Sequence, residues 1–318
     1  MGYWSGSNAT PASSIDWDGL TNVVHVAVGP NPDGTLTYTC NWVSCSASNF
    51  AKEAETIIAA ARANNVKVSL MISANNRSAF NFNWAIAGHL TTIVTNIKNV
   101  VALYGYDGVD LDWEEHIDWG NMRSFLSLLK ESLGHTLLTA AVMSYHDRYW
   151  GSLSTYLDRL NIETYDGAGK WSVYSWFNSA LYGDPGDPTW SVEYSTRRFL
   201  AAGIPAAHLG IGLPFYGYVW SGAGVTGPRQ RWKGSPPAVM QRNFNHLSEQ
   251  YNLQRSTWDS AAQVPWVRIN KGWITFDNAQ SILAKIEFAK RQHLGGWIIW
   301  DLSADYFPTH TPHPVSYT

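Results

Sequence analysis

Strand-like and helix-like segments take turns along almost the whole chain, and that alternation leaves few folds open to it. Residues 23–29 form an apolar run of strand length, and residues 47–64 have the length and composition of a helix with Ser48 or Asn49 placed to cap it. Residues 66–73 predict the next strand. Residues 90–104 predict a helix with Ile93, Ile97, Val100 and Tyr104 on one face. A strand follows over residues 106–114, then a helix with Met122, Phe125, Leu129 and Leu133 along its stripe. Strands are predicted at 137–143 and 159–166, and a helix at 192–202 closed by Gly203. The pattern ends with a strand at 209–215, a helix at 278–292 and a strand at 296–301. With the short segment Gly2–Trp4, the strands number eight. Repeated βα units call for a parallel sheet, and eight of them close naturally into a single (β/α)8 barrel, an α/β fold with its active site at the C-terminal strand ends.

A chain of 318 residues has room for one such barrel. We assign residues 1–307 to it. Residues 308–318, with Pro308, His310, Pro312, His313 and Pro314, read as a tail or a cut linker. Residues 218–276, rich in Gly, Pro and Arg, read as a long loop with a short helix around 240–250. A net charge of −3 without a basic patch argues against nucleic acid as a partner. No apolar run is long enough to suggest a membrane span. Cys40 and Cys45 are too few for zinc without a histidine pair nearby, and could form a short-loop disulfide in an exported protein. No metal or cofactor is expected. The 17 Trp and 16 Tyr exceed what a core readily uses, and flat aromatic faces suit the apolar faces of pyranose rings.

Chemistry concentrates in Asp107-Gly108-Val109-Asp110-Leu111-Asp112-Trp113-Glu114. Asp110, Asp112 and Glu114 recur with a period of two, so a strand points all three to one face while Val109, Leu111 and Trp113 bury the other. Neighbouring carboxylates raise one another's pKa, so the set favours a shared proton and an acid still protonated near neutral pH. A calcium-binding or hydrogen-bonded structural acidic cluster is the competing explanation. Asp107 breaks the alternation and reads as a structural carboxylate. His25, inside an apolar strand, reads as a hydrogen-bonded core histidine.

The pattern Asp-Gly-x-Asp-x-Asp-x-Glu resembles the signature of glycoside hydrolase family 18, the chitinases. Further similarities follow in the family's order: Gly2-Tyr3-Trp4, Glu163-Thr164-Tyr165-Asp166, Gly212-Leu213-Pro214-Phe215-Tyr216-Gly217 and Gly295-Gly296-Trp297-Ile298-Ile299-Trp300. The resemblance implies hydrolysis of β-1,4-linked N-acetylglucosamine polymers, in which the substrate's own N-acetyl oxygen attacks the anomeric carbon. It implies Glu114 as general acid and then base, Asp112 orienting the N-acetyl group, and Asp110 sharing the proton of Asp112. Tyr165 would hydrogen-bond the attacking oxygen and Asp166 a ring substituent. Trp300 would be the floor under the cleaved sugar, with Trp297 facing the core. Trp4, Trp84, Trp220 and Tyr216 are candidate subsite aromatics.

Chitin or chitooligosaccharides are the implied partner, and a monomer is expected. The chain opens directly into its first motif, so any signal peptide has been removed or never existed; secretion is inferred from the polymeric substrate. Lacking the small α+β domain that related chitinases often insert after the seventh strand, the cleft is expected to be open and attack endo-type. A non-catalytic chitin-binding lectin and an endo-β-N-acetylglucosaminidase acting on N-glycans are the alternatives, the lectin disfavoured because Glu114 is kept. Three positions depart from the family pattern. Met71-Ile72-Ser73-Ala74 stands where Ser-x-Gly-Gly is usual, Tyr218 where Arg is common, and Glu163 where Met is usual. Glu163 either pairs with a cation or backbone amide, or perturbs its acidic neighbours.

Overall fold

The computed structural model describes residues 1–74, 76–184, 190–232 and 234–305; the expected tail at 308–318 lies outside them. The eight predicted strands are present as β1 (Gly2–Trp4), β2 (Asn22–Pro30), β3 (Lys67–Ala74), β4 (Gly108–Trp113), β5 (Leu137–Met143), β6 (Arg159–Glu163), β7 (Leu209–Pro214) and β8 (Gly296–Trp300). All pair in parallel with their sequence neighbours, and β1 pairs with both β2 and β8, so the sheet closes without an edge. The chain is a (β/α)8 barrel.

Among the described residues, seven α-helices surround or extend it: α1 (Ala47–Ala63), α2 (Asn76–Tyr104), α3 (Trp119–Leu133), α4 (Asp147–Leu153), α5 (Val192–Ala201), α6 (Phe244–Gln250) and α7 (Ala279–Arg291). Ser46, not Ser48 or Asn49, caps α1, its hydroxyl accepting from the Asn49 amide. The helix expected from residue 90 is the second limb of α2, which bends at His89, where φ −141° and ψ 33° leave helical space.

Side-chain alternation divides the core in two. Tyr3, Val24, Val26, Met71, Ala141 and Ile298 fill the barrel interior. Val109, Leu111 and Trp113 point outward to the helices, where Trp113 stacks on Phe82 at 4.3 Å. β3 runs as plain strand through Ala74, paired with Trp113, so the side chains replacing the family's glycines are accommodated there. β6 ends at Glu163, short of the expected 166: the Thr164 amide turns back to donate to the Ile162 carbonyl at 2.9 Å, and Asp166 then adopts a left-handed backbone (φ +58°).

The segment after β7 is more ordered than a long loop with one helix. It forms an antiparallel five-stranded sheet from Tyr216–Ser221, Ala238–Asn243, Thr257–Asp259, Val264–Ile269 and Gly272–Thr275. Trp220 stacks on Trp273 on one face (5.9 Å), and Leu247 of α6 packs with Val219, Val267 and Ile274 on the other. The expected helix is α6, but Met240 to Asn243 belong to a strand. A second antiparallel extension leaves β2 as the hairpin Leu36–Cys40 and Val43–Ser44, stapled by the Cys40–Cys45 disulfide.

Candidate active site

β4 delivers three carboxylates at increasing height, from the barrel interior to its mouth. Asp110 is fully buried, Asp112 nearly so, and Glu114 partly exposed just beyond the strand end. Asp110 accepts from the Tyr3 hydroxyl at 2.6 Å on Oδ2 and from the Thr139 hydroxyl on Oδ1. Burial lifts its carboxyl to about 6 in spite of those two donors. Burial also pushes Asp112 well above the carboxylate range, with Glu114 and Asp110 adding like charge, and its Oδ1 is buried without a hydrogen-bond partner. Glu114 is raised by burial and then by the charges of Asp166 and Glu115. Protons on such a set belong to the group rather than to single residues.

Glu163, at the end of β6, joins this stack. Carboxylate oxygens of Asp112, Glu114 and Glu163 lie within 4.8 Å of one another, and among the described residues this is the one His/Cys/Asp/Glu group with spacing for a cation. Burial and four neighbouring carboxylates push Glu163 well above its ordinary range. Neither an ion pair nor a hydrogen-bond donor meets its carboxyl among the described residues.

Tyr165 and Asp166 follow in the turn after β6. The buried Tyr165 ring lies so close to Gly212 of β7 that a Cβ there would sit 2.6 Å from it, so glycine makes the space. Asp166 is held on three sides. Its amide donates to Asn178 Oδ1 at 2.9 Å, and its Oδ1 accepts from the hydroxyls of Tyr216 (2.5 Å) and Tyr218 (2.7 Å). Burial raises its pKa although both phenols pull it down. Trp300 is half-buried, 5.0 Å from Tyr3 and 5.3 Å from Trp42, while Trp297 packs against the outer core.

Not every candidate reaches the site. Trp4 has no exposed surface and donates its indole N–H to the Thr10 carbonyl at 2.7 Å; it is a core residue, not a subsite platform. Trp220 is likewise fully buried, in the core of the inserted sheet. Tyr216 presents no free ring face and acts through its hydroxyl on Asp166. Trp84 is 58 % exposed on α2, its ring 6.4 Å from Phe80, and remains available for stacking. His25 is a core residue whose Nδ1 is 2.6 Å from the Tyr106 hydroxyl, and Asp107 accepts from the Val68 amide at 2.9 Å.

Sequence reasoning missed Trp42, Asn178 and Trp171, and marked Tyr218 only as a departure from the family pattern, without its bond to Asp166. Trp42 is exposed at the tip of the disulfide hairpin and Trp171 is exposed 6.2 Å from Tyr218. Two cysteines bracketing a tryptophan were a usable signal for Trp42. Nothing local marks Asn178, because its partners are 12 and 38 residues away.

The model of the glycosyl hydrolases family 18 matches residues 1–305. The chain belongs to glycosyl hydrolase family 18. Chitinase A1 of Niallia circulans is 30% identical over 247 residues, which cover 64% of this chain and 35% of that protein. A class V chitinase of Arabidopsis thaliana is 28% identical over 337 residues, covering 95% of this chain and 85% of the relative. The chain thus spans about a third of Chitinase A1 but most of the plant protein. Two solved structures show the same fold at 22% identity. A family 18 chitinase from Cycas revoluta in complex with (GlcNAc)3 has a TM-score of 0.81 and covers 96% of this chain and 95% of its own. The group IV chitinase of Ostrinia furnacalis in complex with allosamidin has a TM-score of 0.80, with 96% and 92% covered.

Proposed function

We propose that this family 18 barrel is a chitinase that hydrolyses β-1,4-linked N-acetylglucosamine chains with retention, using the substrate's acetamido oxygen as nucleophile. The observation that carries the reading is the graded stack Asp110, Asp112, Glu114, whose outermost member is the accessible one and is held towards the protonated form. Glu114 donates its proton to the glycosidic oxygen as the acetamido oxygen bonds to the anomeric carbon and the leaving chain departs. Asp112 accepts from the acetamido N–H and stabilises the charge that develops on nitrogen. Tyr165 donates to the acetamido oxygen and aims it. Glu114, now a carboxylate, takes a proton from water, which attacks the anomeric carbon as its bond to the acetamido oxygen breaks, regenerating the acetamido group and restoring the β configuration. Asp110, fixed by Tyr3 and Thr139, exchanges proton density with Asp112. Asp166 is oriented to bind a ring substituent, and Trp300 floors the sugar.

Endo-type attack on polymer cannot be argued from a missing wall, since the inserted sheet occupies that position in the chain. It rests instead on exposed aromatics, with Trp42 beside Trp300, Trp171 beside Tyr218, and Trp84 on α2. Exposed aromatic faces of that kind suit several sugars of one chain. The disulfide fits secretion into an oxidising compartment.

The test compares soluble sugar released from colloidal chitin with that released from an N-glycosylated protein. Release from chitin alone is expected. Release only from the glycoprotein would move the substrate to N-glycans, and binding to chitin without release from either would make the protein a lectin.

A further inference from the structure

Glu163 is the feature the proposed mechanism leaves without a task. Its side chain is 9 % exposed, it stands where the family pattern has an apolar methionine, and no protein cation or donor meets it among the described residues. A polar group buried in this way is costly unless something outside the protein satisfies it. Asp112 Oδ1 is a second buried oxygen lacking a partner in the same place.

The groups that face Glu163 come from three elements. β4 and its end supply Asp110, Asp112 and Glu114; the turn after β6 supplies Tyr165 and Asp166; the segment after β5 supplies Tyr145. Among the described residues every one is acidic, and none brings a positive charge. The pocket therefore has the electrostatics of a site suited to a cation that arrives with a ligand.

Geometry narrows the kind of cation. An ammonium group donates along tetrahedral directions, and charge-assisted hydrogen bonds of about 2.8 Å place its three acceptors about 4.5 Å apart. The oxygens of Asp112, Glu114 and Glu163 lie within 4.8 Å of one another, which accommodates that arrangement. In the proposed mechanism Asp112 accepts the N–H on C2 of the sugar. In a trans amide the acyl methyl lies on the same side as that N–H, so the carboxyl beside Asp112 faces the acyl group. Removing the acyl group leaves a nitrogen with three donors and opens the space between it and Glu163.

We propose that Asp112, Glu114 and Glu163 together bind the ammonium group of a 2-amino-2-deoxy sugar, so that deacetylated units of a chitin-type chain occupy the centre of the cleft. The inference rests on the proposed placement of the sugar's C2 nitrogen against Asp112. Such a unit has no acyl oxygen to attack the anomeric carbon, so it is held without being cleaved. Partially deacetylated chains are then self-limiting ligands, and Glu163 is the specificity-determining residue.

The test measures inhibition of acetylated tetramer hydrolysis by the fully deacetylated glucosamine tetramer, for the wild type, Glu163→Gln and Glu163→Met, with folding checked by thermal unfolding. Competitive inhibition of the wild type is expected, tightening as rising pH ionises the carboxyls while the sugar's amino group is still charged. The ratio of Ki for the deacetylated tetramer to KM for the acetylated one should rise roughly tenfold or more in both variants, the scale of one charge-assisted hydrogen bond. An unchanged ratio, or no inhibition of the wild type, would overturn the proposal. Should the wild type fail to cleave the acetylated tetramer, the hydrolytic reading fails by itself. Calorimetric binding of the glucosamine tetramer to the wild type and Glu163→Gln then decides the inference. Calcium ion that binds alone, displaces the tetramer and loses its binding in Glu163→Gln would make the trio a metal site instead.

Discussion

Asp110 has no route to solvent, and its two donors, Tyr3 and Thr139, do not cancel the cost of burying its charge. Its pKa of about 6 in the folded protein lies above 3.8 in the unfolded chain, so folding favours the protonated form. The sign follows: its unfavourable contribution appears as pH rises past about 4 and is complete above about 6. Asp110→Asn removes that dependence, so the variant should gain stability relative to the wild type between pH 4 and pH 7, by at most about 3 kcal/mol. Denaturant titrations of both proteins at several pH values measure the difference; a constant one would place the proton elsewhere. Glu114→Gln keeps the shape and loses the proton. It should retain binding of a chitooligosaccharide and lose hydrolysis by roughly two to four orders of magnitude. Retention of more than a few per cent of activity would remove Glu114 from the role of acid.

At the scale of elements, two additions to the barrel bear on the site. The hairpin closed by Cys40–Cys45 carries Trp42 to within 5.3 Å of Trp300. Replacing both cysteines by serine should raise KM for long oligomers several-fold while leaving kcat nearly unchanged, because the hairpin meets the site through Trp42 on Trp300 and not through a carboxylate. A fall in kcat alone would mean the hairpin supports the catalytic stack instead. The inserted sheet reaches the site through Tyr216–Ser221, whose first and third residues hold Asp166. Trp220→Ala, in the same strand, leaves a large cavity against Trp273 and should cost about 3–5 kcal/mol of stability. Thermal unfolding checks it, and a loss under about 1 kcal/mol would show that the sheet's core is not continuous through Trp220. Barrel strands and helices were legible because period-two and period-3.6 patterns are local, and the carboxylate stack because its members lie within five residues of one another. The sheet was not, because its strands of three to six residues gain their pairing from partners distant in the chain. Trp4 and Trp220 were mistaken for platforms for a related reason: a strand-end tryptophan reads alike whether its ring faces the cleft or a neighbouring core.

Taken whole, the molecule is a closed barrel whose interior changes character along its axis, from apolar side chains to a carboxylate cluster at the mouth. The family's position-by-position likeness made the cluster recognisable, and the departures at Tyr218 and Glu163 are where this chain adds its own contacts. Tyr218 supplies a second donor to Asp166, and Glu163 adds a fourth carboxyl to the stack of β4. The central claim, that such a barrel cleaves with the substrate's acetamido oxygen as nucleophile and Glu114 as acid, is tested most directly by the anomer first released. Proton NMR of a fresh digest of a fully acetylated chitooligosaccharide should show the β-anomer of the new reducing end before mutarotation sets in. The α-anomer appearing first would contradict the account.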